Sequence, residues 1–195
     1  MSNPIQLVAI AGPAGSGKDT AGRVLIEERG FTKLSFAHGL KAALAAMGFP
    51  EPATADEKEK IIPWVGVSWR HLAQTLGTEW GRKLVHADLW VLMAENRIRT
   101  EGGKWVITDL RFENEAEMVR RLNGVVCHID GRAHPMAEGT KGHASEAGVE
   151  RLPTDVLIDN SPVMVKEGKV TAEDMLASMD KLREQVFQAA RYVGA

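Results

Sequence analysis

Gly12-Pro13-Ala14-Gly15-Ser16-Gly17-Lys18-Asp19-Thr20 is the stretch that decides the fold. It fits the pattern Gly-x-x-x-x-Gly-Lys, and its flanks are the ones that pattern needs. Upstream, Ile5 to Ala11 is an apolar run broken only by Gln6, which reads as a buried central strand. Downstream, Thr20 to Arg29 carries Ala21, Val24 and Leu25 at helical spacing, and Gly30 closes it. A strand, a glycine-rich loop and a helix in this order form a cradle for phosphate. The glycines let successive backbone N–H groups turn inward at phosphate oxygens. The helix N-terminus adds the positive end of its dipole, and Lys18 adds a mobile charge for the β- and γ-phosphates. Gly12, Ala14, Gly15, Ser16, Gly17, Lys18, Asp19 and Thr20 are therefore the candidate phosphate-binding residues. After the lysine such loops carry Ser or Thr, whose hydroxyl coordinates Mg²⁺. Here Asp19 takes that place and Thr20 follows. Asp19 can bind the ion or its water shell as a hard oxygen ligand, or serve only as a favourable charge in the first helical turn. The direct ligand among Asp19, Thr20 and other nearby oxygens is left open.

Outward from this unit the chain alternates. Thr32–Phe36, Lys104–Thr108, Val125–Ile129 and Asp155–Ile158 read as further strands. Helices are predicted over Gly39–Met47, from the cap Ser68 to Leu76 with Gly77 as a stop, and over about Asp88 to Thr100 with Leu89, Leu92, Met93 and Asn96 on one side. Phe112, Ala116, Val119 and Leu122 mark an amphipathic helix, and Met175, Met179, Leu182 and Val186 a closing one. Residues 51–60 are charged and read as an exposed loop or a solvated helical turn. Strands alternating with helices predict an α/β fold, three layers around a five-stranded parallel sheet. The polar stretch from Asp130 to Gly148 is long for a loop inside a compact domain, and such loops are usually functional, as lids are.

Length and charge bound the class. The 195 residues suit one domain. With 44% hydrophobic and 26% charged residues the composition is that of an ordinary globular protein, which excludes wholesale disorder. Lys and Arg number 24 against 26 Asp and Glu, so there is no global positive field to gather nucleic acid, and no direct nucleic-acid partner is expected. Apolar stretches such as Leu7–Ala11 and Leu89–Ala94 are too short to span a bilayer, and Met1-Ser2-Asn3-Pro4 has no basic start, so a membrane partner and a signal peptide are not expected. The single cysteine, Cys127, sits in an apolar run, reads as a core residue and fits a reducing cytoplasm.

A second candidate is Trp105-Val106-Ile107-Thr108-Asp109-Leu110-Arg111. Ligands of open parallel sheets bind beyond the carboxyl ends of the strands. That places Asp109 to face the phosphate loop and orient Mg²⁺ waters, and Arg111 to clamp a phosphate. No Asn-Lys-x-Asp occurs and no Asp-x-x-Gly follows the loop, which argues against a GTPase. A small kinase matches the length. Arg70 and Gln74 share a helical side at i, i+4; an arginine can hold a phosphate and a glutamine amide can read a base edge.

In order, Gly17-Lys18-Asp19-Thr20, Arg70-His71-Leu72-Ala73-Gln74-Thr75-Leu76-Gly77-Thr78-Glu79, Thr108 to Glu115, His143 to Gly148 and Asp155 to Asn160 make the sequence resemble the phage-type deoxynucleoside monophosphate kinases, within the P-loop nucleoside monophosphate kinase fold. The resemblance implies ATP and Mg²⁺, and transfer to a deoxynucleoside monophosphate in deoxynucleotide supply. It implies catalytic roles for Lys18, Asp109, Arg111 and Arg132, and Mg²⁺ held near Asp19, Thr20 and Asp109. It implies acceptor contacts from Phe36, Lys41, Arg70, Gln74, Gly77, Thr78, Glu79 and Arg111. An acceptor-binding helical region is implied at about 37–100, and a lid at about 130–148 to which Arg132 and Lys141 lend charge. Asn160 occupies the place where this fold class often touches the donor's adenine. Trp69, Trp80 and Trp90 are available to stack on a base, and as packing residues. His143 with Glu146 lacks a third partner for a metal. The resemblance is compatible with a homodimer and with action in the cytoplasm, the host's if a phage encodes the chain. Two other readings stay open: a P-loop kinase of another phosphorylated acceptor, of the dephospho-coenzyme A type, and a non-enzymatic ATP-binding module.

Overall fold

β1 (Gln6–Ala11) lies at the middle of the sheet because it is apolar on both faces: Leu7 through Ala11 are all buried. In this computed structural model, which describes residues 4–13, 15–130, 149–161 and 172–193, β1 is flanked by two parallel partners. β3 (Lys104–Ile107) pairs with Gln6 through Ala9, and β4 (Val125–Asp130) pairs with Val8 through Ala11. β2 (Thr32–Leu34) lies beside β3, and β5 (Val156–Asp159) beside β4. All four pairings are parallel, and the strand order is β2-β3-β1-β4-β5. The predicted five-stranded parallel α/β sheet is therefore present.

Side-chain alternation sends neighbouring residues of β1 to opposite faces. Val8 and Ile10 join Leu25 of α1 (Lys18–Arg29) and Leu182 and Val186 of α7 (Ala172–Arg191) in one core cluster, together with Cys127 and Ile158. α6 (Glu113–Arg121) packs against β1 and β4 and buries Ala116, Met118 and Val119. Cys127 is in the core as expected, and burial pushes its thiol up to about 12, so it is inert.

The chain divides into two compact units, Met1–Leu34 with Ile98–Ala195, and Ser35–Arg97. The first holds the sheet. The second is helical, with α2 (His38–Ala46), α3 (Ala55–Glu59), α4 (Trp69–Gln74) and then a π-helix over Thr75–Val85. α5 (Leu89–Glu101) follows. The charged 51–60 stretch contains α3, started by a capping box in which Thr54 Oγ1 accepts Glu57 N–H and Glu57 Oε2 accepts Thr54 N–H, both at 3.2 Å.

Two local expectations are corrected. Gly77 does not stop the helix after Ser68; the chain runs on to Val85 as a π-helix, with i→i+5 bonding. The reason is tertiary. Trp90 donates its indole N–H to Gly77 O at 2.9 Å, and a Cβ at Gly81 would stand 2.7 Å from Trp90 Cζ2. Both glycines are docking points for an indole within a continuing helix. In α5 the buried stripe is Trp90, Val91, Ala94 and Ile98, while Leu92 and Met93 are exposed, so the face lies one step from the predicted one.

Candidate active site

The phosphate loop leaves β1 between the carboxyl ends of β3 and β4, as strand order requires. At Gly12 (φ +146°) a Cβ would stand 2.7 Å from Ile129 O of β4 and 2.9 Å from Ser16 Oγ. At Gly17 (φ +103°) it would stand 2.5 Å from Asn160 Nδ2. Both positions demand glycine on conformation and on space. The Ser16 hydroxyl is fully buried and has no hydrogen-bond partner among the described residues. Ala14 lies outside the described residues.

Lys18 opens α1 and folds back on the loop. Its ammonium donates to Gly12 O at 2.7 Å and Pro13 O at 2.6 Å. It is half-buried rather than fully solvent-facing. Burial, then the positive charge of Arg111, hold its pKa below the usual 10.5, against the pull of Asp19. An ammonium whose charge is disfavoured in this way, set in a glycine cradle, gains from an anion placed beside it.

Asp19, at the first turn of α1, is exposed. Its Oδ1 accepts from Thr108 Oγ1 at 3.2 Å and meets Lys33 Nζ at 3.3 Å. Thr108 directly follows β3, and a Cβ at Gly22 of α1 would meet its methyl at 2.4 Å, so α1 and the β3 end are in close contact. Asp109 follows and is partly buried. Asp19, Thr20, Thr108 and Asp109 thus offer hard oxygens at the joined ends of α1 and β3, with a cation already on Asp19. That donor chemistry fits Mg²⁺.

Arg111 is exposed, and its backbone is fixed. Glu115, only 3% exposed, accepts Arg111 N–H at 2.9 Å and Phe112 N–H at 3.1 Å through one carboxylate oxygen. Sequence reading assigned no site role to Lys33, nor to Thr108 and Glu115, which it quoted only within longer stretches. The glutamate had a signal, the spacing of a capping box behind Phe112, but without the usual Ser or Thr at the cap. Asn160, expected near the donor's adenine, has its amide committed elsewhere: buried, it donates to Ser16 O at 2.8 Å and underpins the loop.

In the Ser35–Arg97 unit, Arg70 pairs through Nε with Glu59, and Gln74 lies one turn on along α4. Thr78 and Glu79 are exposed on the π-helix, and Glu79 pairs with Lys83 at 2.7 Å. Gly77 carries the Trp90 bond given above. Lys41 Nζ meets Glu51 at 3.1 Å, and Lys58 meets the same carboxylate at 2.5 Å. Burial pushes the Glu51 carboxyl up, but its bonds to Lys58 and Lys41 outweigh this and hold it below the usual range. Phe36 is 5% exposed, a packing residue. Trp69 and Trp90 are buried, and their indoles donate to Phe49 O at 3.1 Å and Gly77 O at 2.9 Å, so both are packing residues; Trp80 is exposed. Arg132, Lys141, His143, Glu146 and the expected lid at about 130–148, beyond Asp130 itself, lie outside the described residues.

A phosphate loop springing from the central strand of a five-stranded parallel sheet, with a lysine, a carboxylate-ended neighbouring strand and an arginine beside it, defines the P-loop kinase class. The deoxynucleotide monophosphate kinase family model matches residues 53–167, more than half of the chain. The chain belongs to the deoxynucleotide monophosphate kinase family, and is an enzyme of the kinase class. It is 29% identical over 177 residues to a protein of Acanthamoeba polyphaga mimivirus named as a deoxynucleotide monophosphate kinase, covering 80% of this chain and 88% of that one. It is 37% identical over 82 residues to the deoxynucleoside-5'-monophosphate kinase of Escherichia phage T5, covering 42% of this chain and 31% of that protein. Among solved structures a gluconokinase of Sinorhizobium meliloti 1021 aligns over 98% of this chain and 96% of its own, with 14% identity and a TM-score of 0.44. No helix among the described residues is long and apolar enough to cross a membrane.

Proposed function

We propose that this chain transfers the γ-phosphoryl group of ATP, with Mg²⁺, to the 5'-phosphate of a deoxynucleoside monophosphate, giving ADP and the deoxynucleoside diphosphate. The supporting observation is one cluster on the sheet unit: Lys18 folded into the Gly12–Gly17 cradle, with Arg111 acting on its charge and Asp19 and Thr108 beside it. The kinase family match reaches from the helical unit through β5.

The donor's phosphates lie on the loop amides, and Lys18 exchanges its two carbonyl partners for phosphate oxygens. Asp19, Thr20 and Asp109 would hold Mg²⁺, which neutralises charge on the β- and γ-phosphates when bound. Arg111 holds phosphate oxygens by a charge-assisted fork. Arg70 binds the acceptor phosphate and Gln74 reads its base, with Lys41, Thr78 and Glu79 as further polar contacts on the same unit. Arg132 is assigned to the transferring group by resemblance alone. The γ-phosphorus–oxygen bond to ADP breaks as the bond to an acceptor phosphate oxygen forms. A phosphomonoester is largely dianionic at neutral pH, its second pKa being about 6, so no general base is required. Catalysis is positioning and charge stabilisation.

The experiment is ADP release measured with each deoxynucleoside and ribonucleoside monophosphate, alongside dephospho-coenzyme A. Turnover with one or more deoxynucleoside monophosphates is the expected result. Turnover confined to another acceptor overturns the substrate assignment, and ATP binding with turnover on none overturns the enzyme assignment.

A further inference from the structure

Asn160 stands 144 positions from the phosphate loop in sequence, yet its side chain meets the loop's backbone. Its amide, 6% exposed, donates to Ser16 O at 2.8 Å. Its own N–H donates at 2.8 Å to Asp130 O, the last carbonyl of β4. The preceding residue is clamped as well. Asp159 N–H donates to Gln185 Oε1 at 2.9 Å, Gln185 Nε2 donates to Asp159 O at 3.0 Å, and Lys181 meets the Asp159 carboxylate at 2.6 Å. Asn160 is thus a rigid post, fixed by β4 and α7.

The peptide it grips joins Ser16 to Gly17. No described peptide bond is cis, so the carbonyl of Ser16 and the N–H of Gly17 point in opposite directions. A carbonyl drawn toward Asn160 sends the Gly17 N–H away from it. Gly17 has no side chain to obstruct this grip; a Cβ there would stand 2.5 Å from Asn160 Nδ2. We propose that Asn160 is a positioning residue that holds the Ser16–Gly17 peptide with its N–H turned to the donor's phosphate, and that it does not read the adenine. This rests on the phosphate-loop reading above.

The test separates phosphate from base. ATP, GTP and inorganic tripolyphosphate are titrated calorimetrically into the full chain and into Asn160→Ala and Asn160→Asp, without acceptor. Losing one aligned amide bond corresponds to about a tenfold weaker affinity. The same loss is expected for all three ligands, with the ATP to GTP ratio unchanged. Asn160→Asp is expected to be the worse variant, because a carboxylate would face the Ser16 carbonyl. Weakened ATP with unaltered tripolyphosphate overturns the proposal in favour of an adenine contact. Unaltered affinity for all three ligands also overturns it. Should the unsubstituted chain bind neither ATP nor tripolyphosphate, the phosphate-loop reading itself fails, a result distinct from either. The amide resonance of Gly17, followed by NMR in the unsubstituted chain, keeps the test independent of variant folding. It is expected to shift on adding tripolyphosphate, and a resonance that stays still overturns the proposal.

Discussion

Lys18 is an ammonium that the fold holds on two carbonyls and keeps partly out of water. Its lowered pKa has a definite sign. Between that value and 10.5 the unfolded chain holds more protons than the folded one, so this residue contributes rising stability as pH rises. Phosphate binding reverses the bias, because an anion favours the charged form. Above the second phosphate ionisation, at about pH 6, ATP affinity is therefore expected to stay level up to the free protein's Lys18 pKa and to fall as pH rises through it, with proton uptake on binding in that upper range. Calorimetry in buffers of different ionisation heat reads this directly. Lys18→Ala is expected to melt near the parent's temperature and to lose about a hundredfold or more in kcat/KM, since charge-assisted bonds are worth about 1.5–3 kcal/mol each. Near-normal turnover in that variant would remove the loop from the mechanism. Arg70 poses the opposite case, a cation already occupied. Its pair with Glu59 is exposed, and such pairs are worth about 0.2–1 kcal/mol. An acceptor phosphate must displace Glu59, so Glu59→Gln is expected to lower the acceptor KM by up to about fivefold and leave that for ATP unchanged. A raised acceptor KM would instead make Glu59 the residue that aims Arg70.

The π-helix over Thr75–Val85 is the element that carries Gly77, Thr78 and Glu79. Gly81 is buried in it against Trp90, and an added Cβ would also stand 3.0 Å from Leu76 O. Gly81→Ala must move the indole or the helix, an overpacking cost of about 1–3 kcal/mol. The expected result is a melting temperature lowered by several degrees together with a raised acceptor KM, because the exposed residues of this helix shift with it. A lowered melting temperature with an unaltered KM would separate the helix from the acceptor. No periodicity could have announced this element: helical patterns are sought at 3.6 residues, and a glycine inside one reads as its end. The phosphate loop was legible because its chemistry is local, with Gly12 through Thr20 contiguous and their flanking strand and helix adjacent. β3 and the Asp109 that lies just beyond it were legible for the same reason. Asn160 was visible as a residue following β5, but its partner is Ser16, and only the β4–β5 pairing brings the two together. Glu59 lay in a charged stretch that read as solvated surface and Lys33 in a run that read as a strand, and neither reading shows an ion pair, since a surface pair leaves no pattern in sequence.

At the scale of the whole molecule, the half of the sheet beyond β1 is tied together by one buried carboxylate. Asp155 precedes β5, and its side chain is 2% exposed. It accepts from Arg120 of α6 at 2.6 and 3.2 Å, from Leu152 N–H at 2.9 Å, and lies 3.2 Å from His128 Nε2 of β4. Arg120 also binds Glu113 at 2.6 Å, and Glu113 accepts Glu150 N–H at 3.1 Å. Helix, strand and the chain entering β5 thus share one network. Burial alone would push the Asp155 carboxyl up, but the bonds from Arg120, Leu152 and His128 outweigh it and hold the pKa below the usual 3.8. A depressed carboxyl contributes stability that is complete above its unfolded value and is lost as pH falls through its folded value. Asp155→Asn keeps the shape and removes the charge, leaving Arg120 with Glu113 as its carboxylate partner and the Glu150 carbonyl at 3.2 Å. Removing one partner of a buried pair costs about 3–5 kcal/mol, and Arg120 is partly exposed, so the lower end is expected at neutral pH. Denaturant titration of both proteins across pH supplies the check. The stability gap should stay constant at neutral pH and narrow as pH falls from 3.8 downward through the lower folded value. A gap that persists undiminished in acid would mean that the asparagine fails by shape rather than by charge, and the network would not be the electrostatic tie described.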